Sequence, residues 1–226
     1  MPWVDLTDEI RIAIRTELLN YSFVYSTNYD LLIYWAIMQE AGAGFKDYFW
    51  NEGGFLLSNV DVWEKCTKVL YLHGGLHLSK LLTGQAKKRV AGLSNLLDTF
   101  GTDQDGSTPL FISEGTSDDK LRSIFSSDYL SFAYNQFLQH EGQLVIFGSS
   151  LGVGDGHLIS AIRHHASRKI AVSVMPGNGQ SIIDAKAHYR HYLPEAELFF
   201  FDATTHPLGS ASLAVPVPVS SAAPAP

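Results

Sequence analysis

Six short apolar segments, rich in β-branched and aromatic residues, recur along the chain. Several are apolar at consecutive positions rather than at alternate ones, which is typical of strands covered on both faces in a parallel sheet. The pattern therefore predicts six strands, most of them buried. They are Phe23–Ser26, Val69–Leu72, Leu110–Ser113, Leu144–Phe147, Ile170–Val174 and Leu198–Phe201.

Four stretches between these strands carry apolar residues at the spacing of an amphipathic helix. In the first of them, Leu31, Leu32, Trp35 and Met38 fall on one face. Strands that alternate with helices predict an α/β fold, with a doubly wound, mostly parallel, Rossmann-like sheet and helices on both faces. The predicted helices are Asp30–Gln39, Asp128–Gln139, Leu158–Ala166 and Ile182–Tyr192.

Three segments depart from this alternation. An insertion at 81–108 is predicted to hold a helix near Leu81–Leu97 and a loop rich in Gly and Asp. Residues 42–60 mix aromatic residues with glycines, which predicts a hairpin or an irregular flap. The uncharged Ala, Pro, Ser and Val residues of 207–226 predict a disordered tail. Residues 1–206 are therefore expected to form one domain.

The charge balance limits the classes of partner. The 226 residues carry a net charge of −7, which argues against non-specific nucleic-acid binding because that needs a basic surface. A local basic cluster is interpreted as the solvated end of a helix. It consists of Arg163, His164, His165, Arg168 and Lys169.

Cys66 is the single cysteine, so the chain can build neither an internal disulfide nor a multi-cysteine zinc site. The sequence shows no secretory signal pattern near Met1 and no uncharged stretch of membrane-spanning length. We therefore expect a cytoplasmic protein that does not bind a membrane and holds no zinc.

Polar residues follow three of the predicted strands, where ligands bind to open parallel sheets. Thr27, Asn28 and Asp30 follow the first strand, and His73 and Gly74 follow the second. The turn Gly148-Ser149-Ser150 and the nearby Asp155 follow the fourth. Glycines allow a ligand close to the backbone, and helix-opening amides can bind its oxygens. The pattern predicts a nucleotide-type site at this edge of the sheet.

Structural explanations exist for some of these residues. Thr27 and Asn28 could cap the helix that begins near Asp30, and Asp30 itself is better explained by such a capping role. Asp155 can cap the helix after the glycine-rich turn. His73 has no such explanation and is a natural general base, with His77 as the weaker alternative. The remaining histidines considered are predicted to lie at the surface, and a metal on His188 and His191 is disfavoured because no third ligand is visible. These surface histidines are His140, His164, His165, His188, His191 and His206.

The order of the motifs STNYD, LHG and FGSSLGVGD resembles the bacterial sirtuin-like domains from Phe23 to about Phe201. The resemblance implies that Asn28 and His73 are catalytic, with Asn28 on the nicotinamide-side ribose and His73 acting on its hydroxyl or a water. It implies that NAD is the ligand. The residues assigned to its binding are Thr27, Asp30, Gly74, Gly148, Ser149, Ser150 and Asp155.

Such domains commonly hydrolyse NAD, often in defence against phage. The resemblance therefore implies an NAD⁺ hydrolase that self-associates or works with a partner protein of a defence system. Two features differ from the family. The four-cysteine zinc module of deacylating sirtuins is missing, and no Gly-Ala-Gly loop precedes Phe23, since Gly42-Ala43-Gly44 follows the Asn28 motif. We therefore expect a divergent or N-terminally truncated domain.

Two functions remain in competition. The first is hydrolysis of the nicotinamide–ribose bond of NAD, with a transition state in which the sugar is cation-like. The second is a non-catalytic module that binds a nucleotide, ADP-ribose or a protein. In that case the aromatic segment 45–55 is the first candidate for a partner surface.

Overall fold

The computed structural model describes residues 6–49, 53–62, 65–89, 96 and 106–213. In this part of the chain the α-helices are α1 (Asp8–Leu18), α2 (Leu32–Met38), α3 (Ser117–Phe125), α4 (Asp128–Leu138), α5 (Gly156–Arg163) and α6 (Gly179–Tyr192). The strands are β1 (Phe23–Ser26), β2 (Phe45–Lys46), β3 (Thr67–Tyr71), β4 (Gly74–Lys80), β5 (Ala86–Lys88), β6 (Thr108–Phe111), β7 (Leu144–Ile146), β8 (Lys169–Val174) and β9 (Glu197–Asp202).

Side-chain caps explain where several helices begin. The Thr7 hydroxyl accepts a hydrogen bond from the Ile10 amide at the start of α1, 3.3 Å away. Thr116 and Asp119 form a reciprocal capping box at the start of α3. Asn178 caps α6 in the same way as Thr7 caps α1. Each cap satisfies an amide that has no partner within its own helix.

The strands pair in three small sheets. β3 lies between β1 and β2, and β8 lies between β7 and β9; both of these sheets are parallel. The third sheet is antiparallel, with β4 between β5 and β6. Each of the six predicted strands is a strand here, and the α/β class is confirmed. Helices α1 and α3 and strands β2, β4 and β5 were not predicted.

The first parallel sheet packs against α4. Tyr71 of β3 and Tyr129 of α4 are fully buried. The Tyr71 amide donates to the Tyr129 hydroxyl, 3.1 Å away. Strand β2 ends at Lys46, so it offers no carbonyl opposite Tyr71. A side chain of α4 therefore completes the hydrogen bonding of a strand whose neighbour is too short.

The second parallel sheet differs between its two faces. Ile170 and Val172 of β8 are fully buried in the core. On the opposite face, Val145 and Phe199 are 44% and 49% exposed. These two residues border a shallow depression of about 280 Å³.

No helix in the described residues is long and apolar enough to span a bilayer.

Three expectations outside the strands need correction. Residues 81–88 form a turn and β5 rather than a helix, while 90–95 and 97–105 lie outside the described residues. Short 3₁₀ turns at Pro207–Gly209 and Ala211–Leu213 pack Leu208 and Leu213 against the core, so the expected disorder is wrong there. Residues 214–226 lie outside the described part.

Three aromatic residues of segment 45–55 do not form the partner surface that was considered for it. Phe49 and Phe55 pair in an antiparallel bridge, as an irregular hairpin would. Both are buried, at 5% and 1% exposed, and Tyr48 is 3% exposed. These side chains pack against Tyr129 and Phe132 of α4. They belong to the hydrophobic core, and Trp50 lies outside the described residues.

Candidate functional site

Asn28 and His73 follow two strands that end at the same edge of the first sheet. Ser26 of β1 is the register partner of Tyr71 of β3, and each motif residue comes two positions later. Asn28 is exposed, and its side chain makes no hydrogen bond to another described residue. His73 is 5% exposed. Both motifs thus lie at one edge of this sheet, with an exposed amide in the first and a buried imidazole in the second.

His73 is paired with a residue that the sequence reasoning missed. Its Nε2 atom lies 2.8 Å from Nε2 of His157. His157 is in the first turn of α5 and is 1% exposed. Since α5 follows the glycine-rich turn, this pair connects the second motif with the end of the third. The signal in the sequence was a histidine two residues after Asp155, next to a strand-to-helix turn.

Burial keeps both imidazoles of this pair uncharged near neutral pH. It lowers the pKa of His157 to about 4, with smaller contributions from His73 and the Lys120 ammonium. It also lowers the pKa of His73, together with Lys120. Asp155 opposes both shifts, and a hydrogen bond to the Thr27 backbone opposes the shift at His73. Desolvation prevails because a buried cation loses its hydration.

Lys120 and Asp155 form a partly buried ion pair beside the two histidines. Lys120 Nζ of α3 lies 3.0 Å from Asp155 Oδ1. The other oxygen, Oδ2, accepts a hydrogen bond from the Gly152 amide at 3.2 Å. Asp155 occupies the N-cap position of α5, but its side chain makes no capping bond there. Its carboxylate instead stabilises the glycine-rich turn and attaches it to α3.

The first part of the glycine-rich turn faces α6 rather than the histidine pair. The Ser149 carbonyl accepts a hydrogen bond from the Tyr189 hydroxyl. The Ser150 carbonyl accepts one from His188 Nε2 at 2.8 Å. Gly148 has a positive φ of 67°, and apart from its own chain neighbours no described atom lies within 4 Å of the position a Cβ would take. Space is therefore open at Gly148, although its hydrogen bonds do not reach His73.

Two of the residues assigned to nucleotide binding have structural explanations. Asp30 Oδ1 accepts a hydrogen bond from the Leu32 amide at 2.8 Å, so it supports the start of α2, but the N-cap residue is Leu31 and the predicted side-chain cap is absent. Gly74 has a φ of 73°, and a Cβ there would lie 2.2 Å from the Leu110 carbonyl oxygen. The close approach of β4 and β6 therefore requires glycine at this position.

His77 is wrong as the alternative general base. It is fully buried, and its ring stacks on Tyr34 at 4.6 Å and meets Tyr71 edge-on at 4.4 Å. Neither ring nitrogen has a hydrogen-bond partner among the described residues. Burial lowers its pKa to about 3. An imidazole enclosed in this way cannot reach a ligand at the sheet edge.

The predicted surface positions are only partly correct. His164 and His191 are exposed, but the other four histidines of that group are half-buried. Arg168 is 5% exposed, so it is not part of a solvated helix end. In the described part of the chain, no three or more His, Cys, Asp and Glu residues group as metal ligands would.

Residues 2–208 match the family described as a domain of unknown function, DUF4917. The chain belongs to the DUF4917 family. No curated protein matches the sequence. The match covers Asn28, His73 and His157, so the whole candidate site of this DUF4917 chain lies inside the family domain.

Proposed function

We propose that this protein hydrolyses the nicotinamide–ribose bond of NAD at the edge formed by Asn28 and His73. The observation that carries the proposal is the parallel register of Ser26 with Tyr71. This register supports the proposal because both residues follow strands that end at the carboxyl edge of a parallel sheet, where α/β folds bind nucleotides. Thr27, Gly148, Ser149, Ser150 and Asp155 stay proposed contacts of the nucleotide, while Asp30 and Gly74 support the backbone around it.

The reaction needs little covalent chemistry from the protein. The bond between the ribose C1′ and the nicotinamide nitrogen breaks, and its electron pair neutralises the pyridinium ring. Water adds at C1′ and loses a proton, which gives ADP-ribose and nicotinamide. In the proposal, the Asn28 amide orients the ribose, and His73 acts on a ribose hydroxyl or the water once the ligand displaces its contact with His157.

The finer features of the fold belong to the same proposal. We infer that the two parallel sheets are the halves of one doubly wound, Rossmann-like and sirtuin-like sheet. A cytoplasmic role in bacterial defence against phage, with self-association or a defence partner protein, follows from the same resemblance. The order of the short motifs between Phe23 and Phe201 supports these inferences, and so does the α/β class of the fold.

The test is release of nicotinamide from NAD by the purified chain, measured by liquid chromatography. We expect N28A and H73A each to lower the rate by about 100-fold or more. The matched controls are N135A and H164A, because both side chains are exposed on other parts of the surface. Undiminished release from N28A and H73A, or no release by the wild-type chain, overturns the proposal.

The second candidate function is binding of NAD or ADP-ribose without chemistry. It is favoured by the lowered pKa values of His73 and His157, because a weakly basic imidazole is a poor proton acceptor at neutral pH. Calorimetric titration separates the two functions. Tight binding of ADP-ribose without nicotinamide release supports a sensor, while turnover of NAD supports the enzyme.

A further inference from the structure

One face of the second parallel sheet is covered over only part of its length. Phe147 and Phe201 lie on this face, and the His206 ring packs on them with 4.9 and 5.8 Å between ring centres. Two positions earlier along the same strands, Val145 and Phe199 are exposed. Residues two apart in a strand point to the same side, so all four side chains belong to one face. The described residues leave half of this face open.

The sequence of these strands is that of strands covered on both faces. Every residue of β7 is apolar, and residues 198–201 of β9 are apolar as well. Such consecutive apolar residues are typical of strands buried on both sides. Leu198 and Phe200 pack against the core. The exposed Phe199 on the opposite side therefore indicates a surface that another molecule covers.

The open half of the face combines a depression with an aromatic ring beside it. Val145, Ala171 and Phe199 form one row across the three strands, because they are register partners. All three line the depression of about 280 Å³. The small side chain of Ala171 thus lies between two larger ones. A large side chain next to a space of this kind is what a surface needs in order to fit a rotated copy of itself.

The adjacent row of the same face carries one charge of each sign. Lys169 and Glu197 are register partners, and their charged atoms lie 3.8 Å apart. Both side chains are 56% exposed. The pair has no net charge, so it does not attract a strongly acidic or basic partner. In a chain with a net charge of −7, a neutral face is also where two copies repel each other least.

We propose that two copies of this chain associate through this face, which consists of Val145, Lys169, Ala171, Glu197 and Phe199. The two-fold axis lies between the two sheets, parallel to the strands and midway between β8 and β9. This rotation places β8 of each copy over β9 of the other. Phe199 then enters the depression above Ala171 of the other copy, and Lys169 faces Glu197. Sheets packed in this way are about 10 Å apart, which leaves room for one layer of side chains.

The dimer is expected to be weak and to leave the candidate site accessible. Its contact is small, at the low end of specific interfaces, so its population should rise with protein concentration. Lys169 and Glu197 begin β8 and β9, whereas Asn28 and His73 follow the carboxyl ends of their strands. The inference therefore does not depend on cleavage of NAD. It assigns a surface to the self-association that the proposed function includes.

Sedimentation velocity of the full chain over a range of concentrations measures the association. We expect F199A to lower the dimer association constant at least about tenfold, because it removes the largest side chain of a small interface. F125A is the matched control, because Phe125 is also exposed but lies on α3. It should leave the constant unchanged. Monomeric wild-type protein at every concentration, or equal effects of F199A and F125A, overturns the inference.

Charge reversal tests the two-fold arrangement. K169E and E197K each place like charges opposite each other, and the axis repeats this contact, so each should lower the constant about fivefold. K169E/E197K restores opposite charges and should return it to within about twofold of wild type. K169E without effect, as pairing through the edge of β9 would give, or a double variant no better than the single ones, also overturns the inference. Absence of nicotinamide release from the same samples overturns only the proposed function.

Discussion

The fully buried His77 predicts a loss of stability in mild acid. Its ring lies between Tyr34 and Tyr71 with both nitrogens unpartnered. Burial lowers its pKa from 6.5 to about 3, so the folded chain resists protonation of this ring. The unfolded chain binds the proton below pH 6.5. Stability must therefore decrease as the pH falls from 6.5 toward 3.

The size of the effect follows from the same difference in pKa. Each pH unit below 6.5 costs about 1.4 kcal/mol of unfolding free energy as long as only the unfolded chain is protonated. Between pH 7.5 and pH 5.0 the cost is roughly 2 kcal/mol. This is a large part of the roughly 5–15 kcal/mol that stabilises an ordinary domain.

The assay compares wild type with H77F, which keeps an aromatic ring between the two tyrosines and removes the titrating group. Urea unfolding at pH 7.5 and at pH 5.0 gives the unfolding free energy that each protein loses between the two pH values. We expect wild type to lose roughly 2 kcal/mol more than H77F. H191F is the matched control, because that side chain meets solvent in the folded chain too. Equal losses in wild type and H77F would refute the reasoning.

Two further predictions concern the packing under the candidate site. Y129F leaves the buried Tyr71 amide without its acceptor, and urea unfolding should show a loss of about 1–3 kcal/mol. The matched control is Y192F, because the Tyr192 hydroxyl makes no hydrogen bond in the described chain. Its unfolding free energy should stay within about 0.5 kcal/mol of the wild-type value. G148A should cost about 1 kcal/mol for its positive φ alone. G74A, whose Cβ would clash with β6, should cost more than about 3 kcal/mol, and equal losses at both glycines would contradict this account.

The strands were predictable because burial of consecutive residues requires each of them to be apolar. Val69 and Leu70, for example, are fully buried, so consecutive positions of β3 must be apolar. Strand β4 was not predicted because it begins with two glycines and contains His77, a polar residue that is nevertheless buried. Helix α1 was within reach, since Thr7 and the spacing of its apolar residues are the usual signals of a helix start.

Of the candidate site, only the residues that directly follow a strand could be predicted from the sequence. A polar residue after an apolar run points to the sheet edge, which is why Asn28 and His73 were found. His157 is 84 positions from His73, and their contact depends on how the fold brings the start of α5 to the end of β3. No local pattern encodes that packing. The general-base interpretation of His73 also assumed an ordinary pKa, which the burial of the pair changes.

The pairing alters what His73 can be expected to do. A lone strand-end histidine suggests a base that titrates near neutrality, whereas this imidazole is buried and its Nε2 atom is in hydrogen-bond contact with His157. A cation-like ribose needs orientation and shielding more than a strong base. The lowered pKa of His73 therefore favours a role as a neutral hydrogen-bonding group. If NAD is cleaved, the rate should then persist above neutral pH, where both imidazoles stay uncharged.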